Sequence, residues 1–370
     1  MSNKKRFFLE KLNENIITLF KTSVKISFNQ PGYILFMIKT FLRQKKAIRK
    51  RKQWEETGLH VPPFMILSIT DKCNLKCQGC YASLHSNKNA DEISEKTLRR
   101  ILSEARELGI SIILIAGGEP FSRKEVIDIL QDFPGIIFPV FTNGLLLNQG
   151  FINKLKRAKN IFPIISLEGK EDETDIRRGK GVYSQLKNTL LNLKKRKIIN
   201  GISFTLTRDN FSVVTDRDFI EKLIQNGSQV FFFIEYVPVA EGTESLIITK
   251  EQRMELKEIV EKMRSELAGI FISFPGDEEE LGGCLAAGRG FIHVNAHGNI
   301  EPCPFAPYSD LNLSDISLKE GLQSKLLSKI RSNGDILEEA EGQGGCTLWA
   351  KQEVVRSLLE ETKKAVSKDR

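Results

Sequence analysis

The chain has 370 residues and a formal net charge of +8, and 41% of its residues are hydrophobic, which is enough for one large domain and a smaller one. Residues 1–60 hold 14 lysines and arginines against four glutamates, so the remaining chain is about two charges negative and lacks the basic face that a long nucleic-acid backbone requires. Six cysteines without a recognisable signal peptide favour free or metal-bound thiols in a reducing cytosol over a disulfide framework.

The first segment, residues 1–60, is predicted to form a basic, amphipathic helical arm. Apolar residues recur at helical spacing from Phe7 to Phe20, and a second apolar segment, Tyr33 to Leu42, runs into a basic stretch up to Lys52. Neither segment reaches the length of a membrane-spanning helix. The pattern suits peripheral contact of residues 1–55 with an anionic membrane, and it equally suits an arm packed on the main domain or on a second subunit.

An apolar run from Phe64 to Thr70 predicts a buried strand, and three cysteines with the spacing C-x3-C-x2-C follow it, namely Cys73, Cys77 and Cys80. Sulfur ligands at such spacing select zinc, copper(I) or an iron–sulfur cluster. Zinc prefers four protein ligands in a closed site. A trio without a nearby fourth cysteine therefore favours a four-iron cluster that leaves one iron open to another ligand.

This loop resembles the cluster-binding loop of the radical S-adenosylmethionine (SAM) superfamily, and the match continues after the next predicted strand at Gly117-Gly118-Glu119-Pro120. The resemblance implies a [4Fe-4S] cluster on the three cysteines, whose open iron binds the amino and carboxylate groups of SAM. It also implies reductive cleavage of SAM to a 5'-deoxyadenosyl radical that abstracts a hydrogen atom from a substrate C–H bond. A zinc knuckle or a set of buried thiols is the alternative.

Residues 61–273 alternate short apolar runs with longer amphipathic segments, which is typical of repeated strand–helix units. Strands are predicted at 64–70, 111–116, 136–142, 161–167, 201–206 and 230–237. Helices are predicted at 94–108, 123–132, 149–158, 182–197 and 213–226. Six such units indicate an α/β fold with an open parallel barrel, and the resemblance implies the same partial (β/α)6 TIM-type barrel. Catalytic groups of such a barrel collect at the C-terminal ends of its strands, where all the motifs fall.

Polar residues follow the second and third predicted strands. Glycines let the backbone approach a ligand closely, and a neighbouring carboxylate can accept hydrogen bonds from an ammonium group. The resemblance therefore assigns the SAM amino group to Gly117, Gly118, Glu119 and Pro120. Thr142 and Asn143, which close the third strand, are expected either to contact the cofactor or to form an ordinary turn.

Ser166 lies near the end of the fourth predicted strand, Glu168 follows that strand directly, and Arg178 comes later in Asp-Ile-Arg-Arg-Gly. These segments resemble the SLDG and DxxRG segments of radical SAM enzymes with C-terminal auxiliary clusters, which implies that Ser166 and Arg178 lie near the carboxylate and ribose of SAM. Two residues depart from the pattern. Glu168 replaces the commoner aspartate, and Gly79 replaces an aromatic residue that would cover the adenine, although its backbone could still contact the cofactor. Tyr81 is a candidate to supply the lost stacking.

After residue 273 the chain becomes rich in glycine and turns, and it contains Cys284, Cys303 and Cys346. A hairpin is predicted in which residues 290–295 pair with residues 299–302. Residues 274–370 resemble the SPASM or twitch extension, which implies an auxiliary [4Fe-4S] cluster on these cysteines in a small subdomain closed by a C-terminal helix. The fourth ligand is expected to be His293, His297, an acidic residue or the substrate. Free cysteines, or a zinc site completed by a histidine, are the alternatives.

The leading hypothesis is a radical SAM enzyme that modifies a peptide, a protein or a peptide-derived cofactor and receives electrons from a donor such as ferredoxin or flavodoxin. A second hypothesis is radical modification of a membrane lipid or isoprenoid, because of the arm. A third is a non-catalytic iron–sulfur electron carrier or sensor. The Gly-Gly-Glu-Pro segment, Ser166 and Arg178 speak against it, because an electron carrier does not need a SAM pocket. We expect a cytoplasmic location, with association at the inner face of the membrane as a variant, and no nucleic-acid partner.

Overall fold

The computed structural model describes residues 3–27, 31–87, 90–279, 281–333, 336–337 and 346–368. Within them, one sheet of nine strands has the order β7-β6-β5-β4-β3-β2-β1-β8-β9. All neighbouring strands are parallel except β8 and β9. The strands are β1 (Phe64–Ser68), β2 (Ile112–Ala116), β3 (Phe138–Thr142), β4 (Ile161–Ser166), β5 (Asn200–Leu206), β6 (Ser228–Glu235), β7 (Ile270–Phe274), β8 (Phe291–Val294) and β9 (Ile300–Glu301).

Most helices connect the strands in order along the chain. The described helices are α1 (Asn3–Ser27), α2 (Pro31–Glu56), α3 (Tyr81–His85), α4 (Glu95–Leu108), α5 (Val126–Leu130), α6 (Gln149–Arg157), α7 (Glu171–Arg178), α8 (Val182–Lys195), α9 (Phe211–Val214), α10 (Arg217–Gln225), α11 (Lys250–Glu266), α12 (Gly276–Glu279), α13 (Leu318–Gly321), α14 (Lys325–Ser332), α15 (Thr347–Ala350) and α16 (Gln352–Lys368). None of these helices is long and apolar enough to cross a membrane.

The six predicted strands are confirmed as β1 to β6, and the sheet remains open, as expected for a partial barrel. Two further strands extend the predicted barrel at opposite sides. β7 pairs with β6, and β8 pairs in parallel with β1, so the predicted C-terminal hairpin of β8 and β9 continues the barrel sheet. The helix predicted at 213–226 is divided, because the Asp216 side chain accepts a hydrogen bond from the Phe219 N–H and thereby starts α10.

The helices between the strands cover one face of the sheet, and α4 shows why. Its buried residues Leu98, Ile101, Leu102 and Leu108 recur every three or four positions and form one apolar stripe. Ser94 caps the first turn through the Thr97 N–H. Met65 and Leu67 of β1, on the face of the sheet that these helices cover, complete this core.

The N-terminal arm packs on the barrel, which was one of its two expected roles. On α1, a buried stripe formed by Phe8, Leu12, Ile16 and Phe20 lies against the other face of the sheet, where it meets Ile112 and Ile137 near the N-terminal ends of β2 and β3. α2 lies along α1 and is joined to the sheet by a hydrogen bond from Ser111 to Gln44. The arm therefore closes the barrel at the end opposite to the loops that follow the strands.

Candidate active site

The predicted site residues lie together beyond the C-terminal ends of β1 to β5. The cysteine loop follows β1, and the Gly-Gly-Glu-Pro segment follows β2 directly. Thr142 ends β3, Ser166 ends β4, and Thr205 lies next to the last residue of β5. Because these strands are parallel, their C-terminal ends meet at one edge of the sheet and bring the motifs together.

The two glycines after β2 support the cysteine loop. The Gly118 N–H donates to the Thr70 carbonyl and the Glu119 N–H to the Lys72 carbonyl, both at 2.7 Å. A Cβ on Gly117 would lie 2.3 Å from the Thr70 oxygen, and one on Gly118 would lie 2.4 Å from the Lys72 oxygen. Any side chain at either position would push the loop away. We expected these glycines to let the backbone approach a ligand, and in the structure they let it approach the cysteine loop.

The Glu119 carboxylate is completely buried and joins the loops after β2 and β3. Its Oε1 accepts hydrogen bonds from the Thr142 hydroxyl at 2.7 Å and the Phe121 N–H at 3.0 Å, and its Oε2 accepts one from the Asn143 N–H at 2.7 Å. Burial raises the pKa of Glu119, and these hydrogen bonds oppose the rise. Both oxygens have protein partners, which gives Glu119 a positioning role. Pro120, the next residue, begins a short 3-10 turn and is buried.

Asn143 links the loop after β3 to the cysteine loop. Its Nδ2 donates to Asn74 Oδ1 at 2.8 Å and lies 3.8 Å from Cys73 Sγ. The Leu75 N–H also points at Cys73 Sγ, at 3.4 Å. Hydrogen bonds to the sulfur ligands of an iron–sulfur cluster change the reduction potential of the cluster. Asn143 is placed to form such a bond with Cys73.

Glu168 is nearly inaccessible to solvent, and its Oε1 accepts hydrogen bonds from Arg177 and Arg178. Its Oε2 is buried as well and has no hydrogen-bond partner among the described residues. Arg178 also brings Nη1 within 4.0 Å of Cys77 Sγ. A buried polar atom without a partner costs about 1–3 kcal/mol, so Oε2 indicates a ligand that carries a hydrogen-bond donor.

Arg177 is a site residue that sequence reasoning missed. It donates to Glu168 and, at 2.9 Å, to the Thr205 hydroxyl, and it is buried beside Arg178. The consecutive arginines were the available signal. Ser166, in contrast, is half-buried, and its hydroxyl forms no hydrogen bond with the described part of the chain.

Tyr236, which follows β6, is a second residue that the sequence did not reveal. A Cβ on Gly79 would lie only 2.2 Å from Tyr236 Oη, and Gly79 itself has a φ of +64°. The Tyr236 ring is buried, and its hydroxyl donates to Thr243 at 2.9 Å. The Tyr236 ring thus occupies the space that a side chain at position 79 would need. Tyr81 packs instead against Phe305, with ring centroids 5.1 Å apart.

The cysteine loop suits an iron–sulfur cluster better than a single metal ion. Cys73, Cys77 and Cys80 are free thiols, and burial raises the pKa of Cys73 and Cys77. Among the described residues, no three His, Cys, Asp or Glu side chains surround a point as ligands of one ion must. In a four-iron cluster each thiolate binds a different iron, so the sulfurs stand further apart. The loop, with Arg178 and Glu168 Oε2 beside it, fits a cluster and a ligand with carboxylate and hydroxyl groups.

A second group of thiols comes together in the C-terminal region. Besides burial, the negative charge of Glu278 raises the pKa of Cys284, Cys303 and Cys346. Burial raises the pKa of Cys346 to about 12 and that of Glu278 to about 7. It also raises the pKa of Cys284 and Cys303 well above the usual value. A cationic iron core would offset the burial of these groups. Gly344 and Gly345, next to Cys346, lie outside the described residues.

Neither histidine that we considered as a fourth ligand lies ready to bind a metal. His293 contacts the Ser68 hydroxyl through Nε2 at 2.9 Å and Glu301 through Nδ1 at 2.8 Å. His297 contacts a backbone carbonyl through Nδ1 at 3.0 Å and Asp71 through Nε2 at 2.9 Å. Both ring nitrogens of each histidine are engaged, so an acidic residue and the substrate are the remaining candidates for the fourth ligand.

The face of the sheet beside α1 carries an apolar cluster near the site. Phe141, Phe162 and Phe274 are partly buried and pack with Phe232, and the rings of Phe141 and Phe232 lie 5.1 Å apart. Apolar walls exclude water and so protect reactive intermediates.

Residues 67–225 match the family model of the radical SAM superfamily. This span starts in β1 and ends with α10. It therefore contains the cysteine loop, the glycine segment, and the Glu168 and Arg178 pair.

Curated relatives extend the similarity over most of the chain. AdoMet-dependent heme synthase of Methanosarcina barkeri is 25% identical over 321 residues, which cover 79% of this chain and 90% of the relative. Mycofactocin maturase MftC of Mycolicibacterium smegmatis is 26% identical over 79% of this chain and 76% of its own. PqqA peptide cyclase of Gluconobacter oxydans is 22% identical over 70% and 76%.

Solved structures share the fold. Streptococcus suis SuiB bound to the precursor peptide SuiA has a TM-score of 0.61 at 19% identity and covers 80% of this chain and 72% of its own. The enzyme anSMEcpe with bound AdoMet has a TM-score of 0.57 at 16% identity and covers 82% of this chain and 100% of its own. These similarities confirm the partial barrel.

Proposed function

We propose that this chain, a radical SAM enzyme that uses a [4Fe-4S] cluster and SAM, oxidises or crosslinks a peptide, a protein or a peptide-derived cofactor with the help of an auxiliary cluster. The observation that carries the proposal is the position of the cysteine loop. The unpartnered Glu168 oxygen and Arg178 lie on one side of it, and Tyr81, next to Cys80, packs on Phe305 close to Cys303.

When bound, the cluster and SAM supply a 5'-deoxyadenosyl radical that abstracts a hydrogen atom from the substrate. Cys73, Cys77 and Cys80 would hold the cluster. Arg178 is placed between Cys77 and Glu168, where its guanidinium would bind the SAM carboxylate. Glu168 Oε2 would accept a hydrogen bond from a ribose hydroxyl, which satisfies this buried atom.

Tyr81 supports an oxidative role for the second thiol group. Tyr81 follows Cys80 directly, and its ring packs on Phe305, two residues after Cys303, with the ring centroids 5.1 Å apart. One residue thus joins the two groups. Cys284, Cys303 and Cys346 would hold an auxiliary cluster, which would supply an electron acceptor after hydrogen abstraction, while solvent takes up the proton. The net change is a two-electron oxidation.

An acidic electron carrier such as ferredoxin or flavodoxin suits the exposed side of the cysteine loop. Lys72 and Lys76 are exposed on this loop, beside Cys73 and Cys77. Lysines next to the cluster would steer a negatively charged carrier to the place where electrons must enter.

The peptide substrate is supported by the relatives. A maturase, a peptide cyclase and a neighbour bound to a precursor peptide occur among proteins similar to this chain. Two observations suggest competing substrates. The heme synthase relative suggests a tetrapyrrole, and the apolar, basic arm suggests a membrane lipid.

The first test is SAM cleavage. Anaerobically reconstituted protein with dithionite and SAM is expected to form 5'-deoxyadenosine, measured by chromatography, whereas Cys77→Ala is expected to lose at least tenfold in rate. Cys346→Ala, which leaves the cysteine loop intact, serves as the control and should retain cleavage. Absence of 5'-deoxyadenosine with an intact, reduced cluster would support an electron carrier instead.

The second test concerns the substrate. Candidate precursor peptides, an iron tetrapyrrole and lipid vesicles are incubated with the enzyme and SAM, and the products are analysed by mass spectrometry. A peptide that loses two hydrogens supports the proposal. Turnover of the tetrapyrrole or the lipid alone would replace it.

We further propose that α2 holds the enzyme at the cytoplasmic face of an anionic membrane. Although α1 packs on the barrel, α2 exposes an apolar stripe on which Leu35 is 62%, Ile38 46% and Leu42 59% accessible. The same exposed face continues into a basic half with Lys46 and Arg49. An apolar stripe beside a basic stretch is what a helix lying on an anionic bilayer requires.

A groove beside this stripe supports lipid binding. It has a volume of about 580 Å³, and its lining includes the cationic side chains of Lys39, Arg43, Arg157 and Lys159 but no carboxylate from the described residues. Leu35 borders the same groove. A lipid phosphate would meet the cations while its acyl chains met the apolar stripe.

Vesicle flotation tests this location. The full chain should float with vesicles containing phosphatidylglycerol and much less with pure phosphatidylcholine, and raised salt should weaken the binding. The double variant Leu35→Glu/Leu42→Glu should lose flotation, while Leu191→Glu, which changes an exposed leucine of α8, should keep it. If the full chain fails to float with either vesicle, the arm is solely a part of the barrel.

A further inference from the structure

We propose that Ser68, His293 and Glu301 form a proton relay that receives the proton which the substrate releases when it is oxidised. The inference rests on the proposed function, in which solvent takes up that proton, and it names the groups through which the proton leaves the substrate. The three side chains come from β1, β8 and β9.

These side chains form one buried chain of hydrogen bonds. His293 Nε2 lies 2.9 Å from the Ser68 hydroxyl, and His293 Nδ1 lies 2.8 Å from Glu301 Oε2. The second oxygen of Glu301 accepts a hydrogen bond from Asn295 Nδ2 at 2.6 Å. None of the three relay residues is more than 6% exposed, so water has little access to these contacts.

The acceptors decide which nitrogen of the imidazole carries the proton. An ionised carboxylate can only accept hydrogen bonds, so His293 Nδ1 must donate to Glu301. In the neutral ring Nε2 is then unprotonated and accepts the hydrogen bond of the Ser68 hydroxyl. A proton that arrives at the Ser68 oxygen can therefore be passed on to Nε2, and the Glu301 carboxylate stabilises the imidazolium that results.

The relay lies on the inner face of the partial barrel, the face of the sheet that the helices between the strands do not cover. Successive side chains of a strand point to opposite faces. Met65 and Leu67 pack in the core beneath the helices, so Ser68 lies close to the inner face at the end of β1 and meets His293 there. In β8, Ile292 belongs to the helix-covered core, and its neighbour His293 points to the inner face.

The relay also lies at the end of the strands where the site residues meet. Ser68 is the last residue of β1 and pairs with Ala116, the last residue of β2. The cysteine loop follows the first of these strands, and the Gly-Gly-Glu-Pro segment follows the second. A substrate held beside a cofactor on the cysteine loop would thus lie close to the Ser68 hydroxyl.

The sheet offers few other groups that could accept a proton. In the nine described strands, the titratable side chains are Glu235, His293 and Glu301. Both carboxylate oxygens of Glu235 are bound by Arg253 at 2.8–3.0 Å. Among the helices, His85 of α3 is affected by the same pair, since the charge of Glu301 raises its pKa and that of His293 lowers it, while burial lowers it most. His293 is therefore the base that the strands present to the site.

The relay accounts for every particle that the substrate loses. The proposed oxidation removes one hydrogen atom and one electron, for which a SAM-derived radical and an iron–sulfur cluster are the acceptors, so one proton remains. This proton comes from an O–H, N–H or S–H group on the carbon that lost the hydrogen atom. It passes to the Ser68 oxygen while the proton of Ser68 passes to His293 Nε2. The electron pair of the broken bond becomes the second bond between carbon and heteroatom, and His293 later releases its proton to solvent.

The first experiment examines the relay in the full chain without cofactors. At about pH 8, above the usual histidine pKa of about 6.5, nitrogen NMR shifts show which ring nitrogen of each imidazole carries the proton. The chain has four histidines, so the variant His293→Gln identifies the His293 signals. We expect a proton on Nδ1 and none on Nε2. In Glu301→Gln, whose amide can donate as well as accept, the form protonated at Nε2 should appear as well.

The second experiment measures how well hydrogen abstraction is coupled to oxidation. Reconstituted protein is given dithionite, SAM and the candidate precursor peptides, and the ratio of peptide lacking two hydrogens to 5'-deoxyadenosine is determined by mass spectrometry and chromatography. We expect His293→Gln and Ser68→Ala to lower this ratio at least about tenfold, because a positioned general base contributes a factor of about 10² or more. Ser68→Thr, which keeps the hydroxyl, should restore most of it. Loss of the cluster would lower both products together and leave the ratio unchanged.

His60→Gln is the matched control. His60 Nδ1 also contacts a glutamate, Glu55, at 2.8 Å, but His60 precedes β1 and thus lies at the opposite end of this strand from Ser68. This variant breaks a histidine–glutamate pair without touching the relay, so the ratio should not change.

Three results overturn the inference in distinguishable ways. An unchanged ratio in His293→Gln or in Ser68→Ala would mean that the proton leaves by another route. A proton on His293 Nε2 of the unmodified protein at about pH 8 would leave the Ser68 hydroxyl without an acceptor. If the unmodified protein forms no 5'-deoxyadenosine, or forms it but oxidises no peptide, the proposed function fails and the relay has no substrate proton to receive.

Discussion

At the scale of single residues, Glu168 and Gly118 contribute to the site in two different ways. Glu168 is one methylene longer than the aspartate that is commoner at this position, and it holds two arginines with one oxygen while the other oxygen has no partner in the described chain. Gly118 has no side chain because the carbonyl of Lys72 occupies that space. Glu168 has an oxygen available for a ligand, whereas Gly118 allows the cysteine loop to keep its conformation.

Glu168→Gln is expected to weaken SAM binding about tenfold, which corresponds to about 1.4 kcal/mol. The neutral amide pairs less strongly with Arg177 and Arg178 and releases their guanidinium groups from their present position. Anaerobic titration calorimetry of the reconstituted protein measures the affinity. Glu171→Gln, at an exposed position of α7, is the control. An affinity equal to that of the unmodified protein would remove Glu168 from the cofactor site.

Gly118→Ala is expected to displace the cysteine loop, because the new Cβ would lie 2.4 Å from the Lys72 oxygen. Overpacking of this kind costs about 1–3 kcal/mol, and the barrel itself should still fold. The readout is iron per chain after reconstitution, which should fall by about half as the cluster of this loop is lost. In Gly135→Ala the new Cβ has no neighbour within 4 Å, so its iron content should not change.

At the scale of elements, α1 and the β8–β9 hairpin extend the partial barrel that the repeated strand–helix units form. α1 places its apolar stripe on the face of the sheet that the other helices do not cover. β8 pairs with β1, the strand that leads into the cysteine loop, and its His293 reaches Ser68 at the end of β1. The C-terminal region is thus attached directly to the strand that carries the loop.

Ile16→Ala is expected to lower the free energy of unfolding by about 2–4 kcal/mol, because it removes buried apolar volume between α1 and the sheet. Urea unfolding of the protein without cofactors measures this change. Thr18→Ala alters an exposed position on the same helix and should change the stability little. Equal stability of the two variants would mean that the arm does not pack on the barrel in solution.

At the scale of the whole molecule, two groups of thiols lie on the two sides of Tyr81. The cysteine loop follows β1, whereas Cys284, Cys303 and Cys346 belong to the region that joins the sheet through β8. The arm closes the far end of the barrel and leaves the exposed face of α2 for a membrane.

The anaerobically reconstituted protein is expected to contain about 8 iron atoms per chain, since two four-iron clusters are proposed. Replacement of Cys73, Cys77 and Cys80 by alanine should leave about 4, and replacement of Cys284, Cys303 and Cys346 should also leave about 4. Iron and sulfide assays provide the measurement, with circular dichroism to check the fold. About 4 iron atoms in the unmodified protein would mean that the second group of thiols holds no cluster.

The amino-acid sequence by itself predicted the six barrel strands and the motifs at their ends. These features depend on local properties, such as the alternation of apolar residues and the spacing of Cys73, Cys77 and Cys80 within one loop. The predicted C-terminal hairpin follows from turn residues that are likewise adjacent in the chain. Local patterns are sufficient wherever the interacting residues are neighbours in sequence.

Only the tertiary structure decided which distant residues meet. It placed Tyr236 over Gly79, β8 beside β1, and the arm against the barrel. These contacts depend on strand order and register in the sheet, which bring together residues far apart along the chain. The periodicity or spacing of a short segment does not indicate these long-range contacts, because their stabilising free energy arises from packing that exists only in the folded protein.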